Sequence, residues 1–420
     1  MTSADAPRHV LRRMAIDLTP LRESPDYGRV LAGSAVSQFG EQMTVVAVPV
    51  QVYALTRSSL AVGMIGLAVL GPLILFGLAG GAIADAMDRR RLALITSAGM
   101  AVLSALLVVQ AVAHLDQVWL LYVIVAVQAG LGAVDSPTKA TFVPRLLPAR
   151  SLPAAGALQG VTYNISTTGG PLVAGTVIAV GGLATAYLVD ALSFGAALYA
   201  IARLGPMAPD GGGRRAGMTS VLEGLQFLRT RPVVLMTFLV DINAMVFGMP
   251  RALFPALAAT VFAGGAPTVG LLYAAPAFGA LLGALLSGWC GAVRRQGLGV
   301  LLAVAAWGVA ITLFGLTRTL WVGVVLLAVA GAADMVSGIW RMAILQVCTP
   351  DELRGRLNGV SFVVVAGGPG LGDVESGMVA ALSTPTFAVL SGGLACVAGV
   401  GLLAALVPRF ARYDARAVPG

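Results

Sequence analysis

The stretch Gly81-Ala-Ile-Ala-Asp85-Ala-Met-Asp88-Arg89-Arg90-Arg91 closes one long apolar segment of the 420-residue chain and opens the next. An acid lies one turn after a glycine at the end of the first segment, and three consecutive arginines begin the second. Arginines that flank apolar segments of membrane proteins are retained on the cytoplasmic side of the bilayer. The stretch therefore predicts a tight cytoplasmic turn between two helices that cross a membrane.

The composition is that of a polytopic membrane protein, since 58% of the residues are hydrophobic and only 11% are charged. Soluble globular domains carry about 25% charged residues, and the mean hydropathy of +0.89 agrees with the membrane class. A helix that crosses the bilayer needs about 20 mostly apolar residues. Cutting the sequence at its charge and Gly/Pro clusters predicts twelve such helices, at 29–54, 60–85, 91–113, 117–143, 153–180, 183–204, 232–262, 267–292, 298–316, 320–347, 356–382 and 385–408.

The positive charge of the chain lies on one side of these predicted helices. With the N-terminus in the cytoplasm, Arg57 and Arg318 fall in outer loops and Arg251 falls within a helix, while the other 24 of the 27 Lys and Arg residues lie on or beside the cytoplasmic side. This distribution predicts that both termini are cytoplasmic and that arginines contact anionic lipid. It accounts for the net charge of +8 without a nucleic acid partner, which we exclude.

A spacing of glycines, followed by arginines, repeats between the two halves of the chain. Gly63 and Gly81 are eighteen residues apart and are followed by arginines, and Gly270 and Gly288 show the same pattern. A duplicated unit predicts an all-α fold of two six-helix bundles. The predicted domains are a cytoplasmic N-terminal segment at 1–28, bundles at 29–204 and 232–408, a cytoplasmic linker at 205–231 and a cytoplasmic tail at 409–420. The linker predicts an amphipathic surface helix, and a plain connecting helix fits about as well.

Glu41 lies about halfway across the first predicted helix, on one face with Gln38 and Gln42. A charged side chain at that depth costs about 2.5–3.5 kcal/mol on insertion scales. Desolvation favours the neutral carboxyl, which suits a group that carries a proton. Glu41 is therefore the first candidate for proton coupling and Asp241 the second, and a buried acid that only hydrogen-bonds its neighbours is the alternative for Glu41.

The seventh predicted helix carries Asp241, Asn243 and Arg251 and is interrupted by two prolines. A broken helix that bears charge near the midplane points to a binding site. Arg251 could bind an anionic or phenolate substrate, or it could pair with an acid of a neighbouring helix, and the sequence leaves both open. The predicted substrate cavity is lined by polar and aromatic residues, namely Gln38, Tyr163, Asn164, Asn243, Arg251, Tyr273 and Trp340.

Two further pairs of charges are predicted to neutralise each other within the membrane. Asp135 and Lys139 are four residues apart, and Asp334 and Arg341 are seven apart, so each pair lies on one helical face. Asp190 has no obvious local partner.

The opening stretch resembles the loop signature between helices 2 and 3 of the major facilitator superfamily, Gly-x-x-x-Asp-Arg-x-Gly-Arg-Arg, with departures at Ala86 and Asp88. Gly169, Gly170, Pro171 and Gly175 partly match the antiporter motif Gly-Pro-x-x-Gly-Gly of that superfamily, although helix packing alone also explains them. Five segments are similar to the enterobactin exporter subfamily, at 17–22, 220–228, 251–257, 269–276 and 355–359.

The resemblance implies a major facilitator fold with gating at the cytoplasmic side. Gly81, Asp85, Arg89, Arg90 and Arg91 would form the gate, with Asp85 docked against the start of the eleventh helix. A helix N-terminus carries roughly half a positive charge, which favours an acid there. The alternative is an acid that only caps a turn.

The predicted helices lack the residues that metal binding, catalysis by histidine and ATP binding require. Both histidines, His9 and His114, lie outside the predicted helices, and no Gly-x-x-x-x-Gly-Lys-Ser/Thr motif occurs. We therefore expect no enzyme activity, metal, cofactor or ATP hydrolysis, and an ion gradient as the energy source. The sequence predicts a monomeric proton antiporter in a bacterial cytoplasmic membrane, with protons, lipids and a small molecule as partners. The resemblance implies export of a siderophore or another amphipathic molecule, and the alternatives are a multidrug exporter, a lipid translocase and a membrane receptor.

Overall fold

The computed structural model describes residues 17–208 and 226–414, except for the side chains at 78–82, 84–86, 351, 352, 354–356, 358, 359 and 362. Within these ranges the chain is helical and contains no strand. The main helices are α1 Pro25–Thr56, α2 Ser59–Ala86, α3 Arg89–Val112, α4 Val118–Ala140, α5 Leu152–Ala202, α6 Pro232–Phe247, α7 Phe254–Thr260, α8 Ala266–Leu285, α9 Gln296–Leu316, α10 Leu320–Cys348, α11 Asp351–Leu382 and α12 Pro385–Leu406. Short helical turns lie at Thr19–Glu23, Val143–Leu146, Ala149–Ser151, Arg251–Leu253, Ser287–Ala292 and Pro408–Ala411.

Nine stretches of the described residues are long and apolar enough to cross a membrane. One of them contains α5, whose 51 residues exceed a single crossing. Gly182 divides α5 with a φ of 78°, which an L residue rarely adopts, into arms at 152–181 and 183–202. α1 and α11 are each 32 residues long but richer in polar residues. The all-α membrane fold is thus confirmed, and the described helices are consistent with twelve crossings.

Local sequence signals explain where several helices begin. Ser24, Ser58, Asp88 and Thr384 each accept a backbone N–H of the first turn, at α1, α2, α3 and α12 respectively. Such caps satisfy donors that have no partner within the helix. Between α6 and α7, Pro250 and a 3₁₀ turn break the seventh predicted crossing, as its two prolines indicated.

Successive helices run in opposite directions, so the connecting segments gather at two ends of the molecule. The Arg57 end, as we call it, contains 57–58, 113–117, Gly182, 261–265, 317–319 and 383–384. The Arg90 end contains 87–88, 141–151, 203–208, 293–295, 349–350 and 407–414. Large apolar side chains such as Leu75, Val102 and Leu192 remain exposed on the flanks, as expected where hydrocarbon replaces water as the solvent.

Candidate functional site

A cavity of about 450 Å³, called the polar cavity here, lies between α1, α4 and the first arm of α5. α1 lines it with Gln38, Glu41 and Gln42, which lie on one face because of their spacing. The first arm of α5 adds Gln159 and Tyr163, so the structure brings Gln38 and Tyr163 of the predicted substrate cavity together with Glu41.

The two acids of the polar cavity differ in their partners. Lys139 Nζ lies 2.6 Å from Asp135 Oδ2, and the Thr96 hydroxyl donates to Asp135 Oδ1 at 2.6 Å. No described residue donates a hydrogen bond to the Glu41 carboxyl or forms an ion pair with it. A carboxylate without a cation is costly at membrane depth. Glu41 therefore carries the least compensated charge of this cavity.

A second cavity, of about 280 Å³, lies between helices of both predicted bundles and is called the shared cavity here. α1 and α4 contribute Thr44 and Gln128, and the opposite wall includes Arg251, Tyr273 and Asp373. The cavity thus contains polar groups that approach one another from positions more than 100 residues apart in the chain.

Arg251 is engaged by an acid of α11. Its Nη2 lies 3.2 Å from Asp373 Oδ2, and the Ala252 backbone N–H donates to Asp373 Oδ1 at 3.2 Å. The Tyr273 hydroxyl donates to the Arg251 carbonyl oxygen at 3.3 Å. Of the two roles that the sequence left open for Arg251, the structure shows pairing with an acid, and the pair leaves the shared cavity close to neutral.

Asp241 lies in a third polar cluster. It forms an ion pair with Arg341 of α10, and Arg341 Nη2 also lies 3.3 Å from Asp334 Oδ1. Both Asp241 and the Arg341 side chain are largely buried, whereas the Asp334 side chain is 43% exposed. The second candidate for proton coupling therefore has a cationic partner, unlike Glu41.

Three residues of the predicted substrate cavity point elsewhere. Asn243 donates to the Cys396 carbonyl oxygen at 2.9 Å, which fixes α6 against α12. Trp340 donates from Nε1 to the Cys290 carbonyl oxygen at 3.1 Å and is buried. Asn164 donates to the Gly160 carbonyl oxygen one turn earlier and is exposed. These side chains hold helices together or lie on the surface, and they do not line the two cavities.

The predicted packing glycines lie where helices approach closely. Gly169 and Gly170 of α5 lie against Phe39 and Gln42 of α1. Near the Arg57 end, a Cβ at Gly175 would lie 2.6 Å from the Ala266 carbonyl oxygen, and Pro171 lies against α8 at Gly270.

Arg90 and Asp88 form hydrogen bonds with the end of α5 and the residues around it. Arg90 donates to the Ala202 carbonyl oxygen at 2.6 Å and to the Ile201 carbonyl oxygen at 3.3 Å. Asp88 accepts the Arg91 N–H at 3.0 Å and the Met207 N–H at 2.7 Å. The loop therefore ties α3 to the chain that leaves α5. The predicted gate contact of Asp85, and its partner glycine Gly81, fall among the side chains outside the described set.

Sequence reasoning missed the partners of two acids. The pairing of Asp373 with Arg251 spans 122 positions, so no local pattern predicts it. Asp190 accepts hydrogen bonds from Thr44 and Ser104, which belong to two other helices. For both acids, the signal in the sequence is a carboxyl within an apolar segment that has no cation nearby in the chain.

Comparison with known proteins agrees with this architecture. The profile of a family described as transmembrane secretion effector matches residues 16–418. Enterobactin exporter EntS of Shigella dysenteriae serotype 1 (strain Sd197) is 28% identical over 393 residues, covering 93% of this chain and 94% of that protein. Enterobactin exporter EntS of Escherichia coli O1:K1 / APEC shows the same identity and coverage.

Solved structures of transporters share the fold. A bacterial homologue of the iron transporter ferroportin, in an inward-facing state, matches with a TM-score of 0.68 and 16% identity over 92% of this chain and 98% of that one. A POT family transporter in complex with a thioalcohol-conjugated peptide matches with a TM-score of 0.70 and 12% identity over 93% of this chain and 99% of that one. The relatives are transporters and not enzymes. The chain belongs to the transmembrane secretion effector family of the major facilitator superfamily.

Proposed function

We propose that the protein exports an amphipathic small molecule in exchange for protons by alternating access. The observation that carries this proposal is Glu41, a carboxyl that lines the polar cavity and forms neither a hydrogen bond to a donor nor an ion pair among the described residues. Glu41 lacks the ion pair that neutralises the charge of Asp135 beside it, so binding a proton is the means left to neutralise its own charge at membrane depth. Protonation of Glu41 removes its charge, so the proton and the cargo can each favour one conformation.

The distribution of contacts supports alternating access. Near the Arg57 end, α2 meets α11 and α5 meets α8 through glycines, so the predicted bundles are closely packed there. The polar cavity is lined by residues such as Tyr27, Phe142 and Leu146, which lie towards the Arg90 end. The positive charge of the Arg90 end supports a cytoplasmic location for that end in a bacterium, so cargo would be loaded from that side.

The similarity to enterobactin exporters supports a siderophore or another amphipathic metabolite as cargo. A multidrug exporter is the second candidate, and the pairing of Arg251 with Asp373 favours it over an anion-specific site, because the shared cavity presents little net charge. The bundle boundaries at 29–204 and 232–408, the monomeric state and the cytoplasmic termini belong to the same proposal.

The test uses purified protein in liposomes, with radiolabelled enterobactin as the probe and an imposed pH gradient. We expect Glu41→Gln to abolish flux driven by the pH gradient and to retain exchange of labelled for unlabelled cargo, since exchange needs no net proton movement. Glu375→Gln is the matched control, because Glu375 is another carboxyl of a membrane helix without a cationic partner among the described residues and lines neither cavity.

Unchanged dependence on the pH gradient in Glu41→Gln would remove Glu41 from the mechanism. If enterobactin is not moved by the unsubstituted protein while a hydrophobic cationic dye such as ethidium is, the multidrug candidate replaces siderophore export.

A further inference from the structure

The second arm of α5 holds an acid that the function proposed above does not use. Asp190 is 1% exposed. Its Oδ2 accepts hydrogen bonds from Thr44 Oγ1 at 2.6 Å and Ser104 Oγ at 2.7 Å. Its Oδ1 is buried and has no hydrogen-bond partner in the described part of the chain.

Asp190 differs from the paired acids of the membrane helices. Asp135, Asp241 and Asp373 each form an ion pair with a lysine or arginine. No described lysine or arginine forms an ion pair with Asp190. An isolated carboxylate in a medium of low dielectric is strongly disfavoured, so its environment selects either the neutral acid or access to water.

The hydrogen bonds around Asp190 fit the neutral acid. Gln128 Nε2 donates to Ser104 Oγ at 3.1 Å, which leaves the Ser104 hydroxyl proton for Asp190. Oδ2 therefore accepts two hydroxyl protons, as the carbonyl oxygen of a carboxylic acid does, and Oδ1 is left to carry the acid proton. Loss of that proton would leave Oδ1 charged and without a donor, so ionisation requires water or a rearrangement.

Asp190 lies between the two cavities. A Cβ at Gly40 of α1 would lie 3.3 Å from Asp190 Cα, and Glu41 is the next residue. Glu41 lines the polar cavity, whereas Thr44, one turn later on α1, lines the shared cavity. Asp190 thus lies in the wall between a cavity directed to the Arg90 end and one shared by both predicted bundles.

Few other charges face this site. α1 presents Glu41, beyond which lies the Asp135–Lys139 pair of α4, and the arm of Asp190 itself presents Tyr187. α3, which supplies Ser104, has no charged residue from Leu92 to Val112. A proton on Asp190 is therefore coupled mainly to the protonation of Glu41, since like charges at two neighbouring carboxyls disfavour each other.

We infer that Asp190 is a second proton-binding group of the transport cycle, reached by water from the shared cavity past Thr44 and Gln128. The inference rests on the proposed function. In one conformation, a hydronium ion of the shared cavity transfers its proton to the Asp190 carboxylate, which forms one O–H bond and leaves water. In the other, the neutral acid returns that proton to water, and Thr44 and Ser104 donate to the carboxylate that remains.

Infrared difference spectroscopy of the full-length protein in lipid tests this without any cargo. In spectra recorded between about pH 4 and pH 9, which spans the values known for buried carboxyls, we expect the C=O stretch of a buried carboxylic acid to disappear as the pH rises. Asp190→Asn should remove that band, and Glu375→Gln should retain it. Thr44→Val should move the band to higher wavenumber, because the carbonyl oxygen loses one hydrogen bond, and this variant serves if Asp190→Asn does not fold.

A band that persists across the whole pH range, or a spectrum that Asp190→Asn and Thr44→Val leave unchanged, would overturn the inference. In the liposome assay, Asp190→Asn should lower the number of protons exchanged per cargo molecule by one, and an unchanged ratio would also overturn it. If the band titrates while enterobactin is not transported, the cargo assignment has failed and the proton site has not.

Discussion

The contact between α2 and α11 gives a test of the closed Arg57 end. A Cβ added at Gly66 would lie 2.6 Å from the Gly370 carbonyl oxygen, whereas ordinary contacts begin at 3.4 Å, so the two helices must separate by about 0.8 Å. The two nearest opposing atoms belong to the Gly370 backbone, so no rotamer change relieves the overlap. Overpacking of this kind costs about 1–3 kcal/mol, and a cost confined to the closed state shifts the conformational equilibrium by about 5- to 150-fold.

We therefore expect Gly66→Ala to open the Arg57 end. Spin labels at Ala54→Cys and Ser383→Cys, in a background without the three native cysteines, report the distance across that end by double electron–electron resonance. Gly71→Ala is the matched control, because it lies on the same helix and a Cβ there meets no atom within 4 Å. Equal distance distributions in Gly66→Ala and Gly71→Ala would refute the view that this contact holds the Arg57 end closed.

Three further predictions concern stability and are measured by unfolding in detergent, followed by circular dichroism. Arg341→Ala should lower the free energy of unfolding by about 3–5 kcal/mol, because it leaves Asp241 buried and unpaired, and adding Asp241→Asn should recover part of the loss. Burial raises the pKa of Asp88, but backbone hydrogen bonds outweigh it and hold that pKa below its ordinary value. Asp88→Ala should cost about 1 kcal/mol at neutral pH, and the cost should vanish as the pH falls below about 3.9. Gly182→Ala should cost about 1–3 kcal/mol because of its positive φ, and Gly195→Ala, where a Cβ meets open space, should cost little.

The fold could be predicted because the bilayer fixes the length and the polarity of each crossing. The interruption near Gly182 follows from glycines that separate two apolar segments, and the broken seventh crossing follows from Pro250 and Pro255. The Asp135–Lys139 contact was equally accessible, because a spacing of four residues brings side chains together whatever surrounds the helix.

Contacts between helices could not be predicted from the sequence in the same way. The rotation of a helix about its axis is set by its neighbours, so the sequence could not show that Asn243 and Trp340 turn towards Cys396 and Cys290. Nor could it show that Asp373 would reach Arg251. The departure at Asp88 had no predicted role, yet it caps α3 and accepts the Met207 N–H.

The placement of charge determines what opening the Arg57 end must cost. The ion pairs of Asp135, Asp241 and Asp373 each join residues on one side of the linker, so rocking of the halves breaks none of them. Across that end, glycines of α2, α5, α8 and α11 lie against backbone atoms of the other half, whereas breaking a buried ion pair would cost about 3–5 kcal/mol. Because these ion pairs do not cross from one half to the other, small free energies can shift the contact, and a change of one pKa unit at a carboxyl supplies about 1.4 kcal/mol. The free energy of proton binding at Glu41 and Asp190, the acids beside the cavities that form no ion pair, is therefore of the size needed to change which end is open.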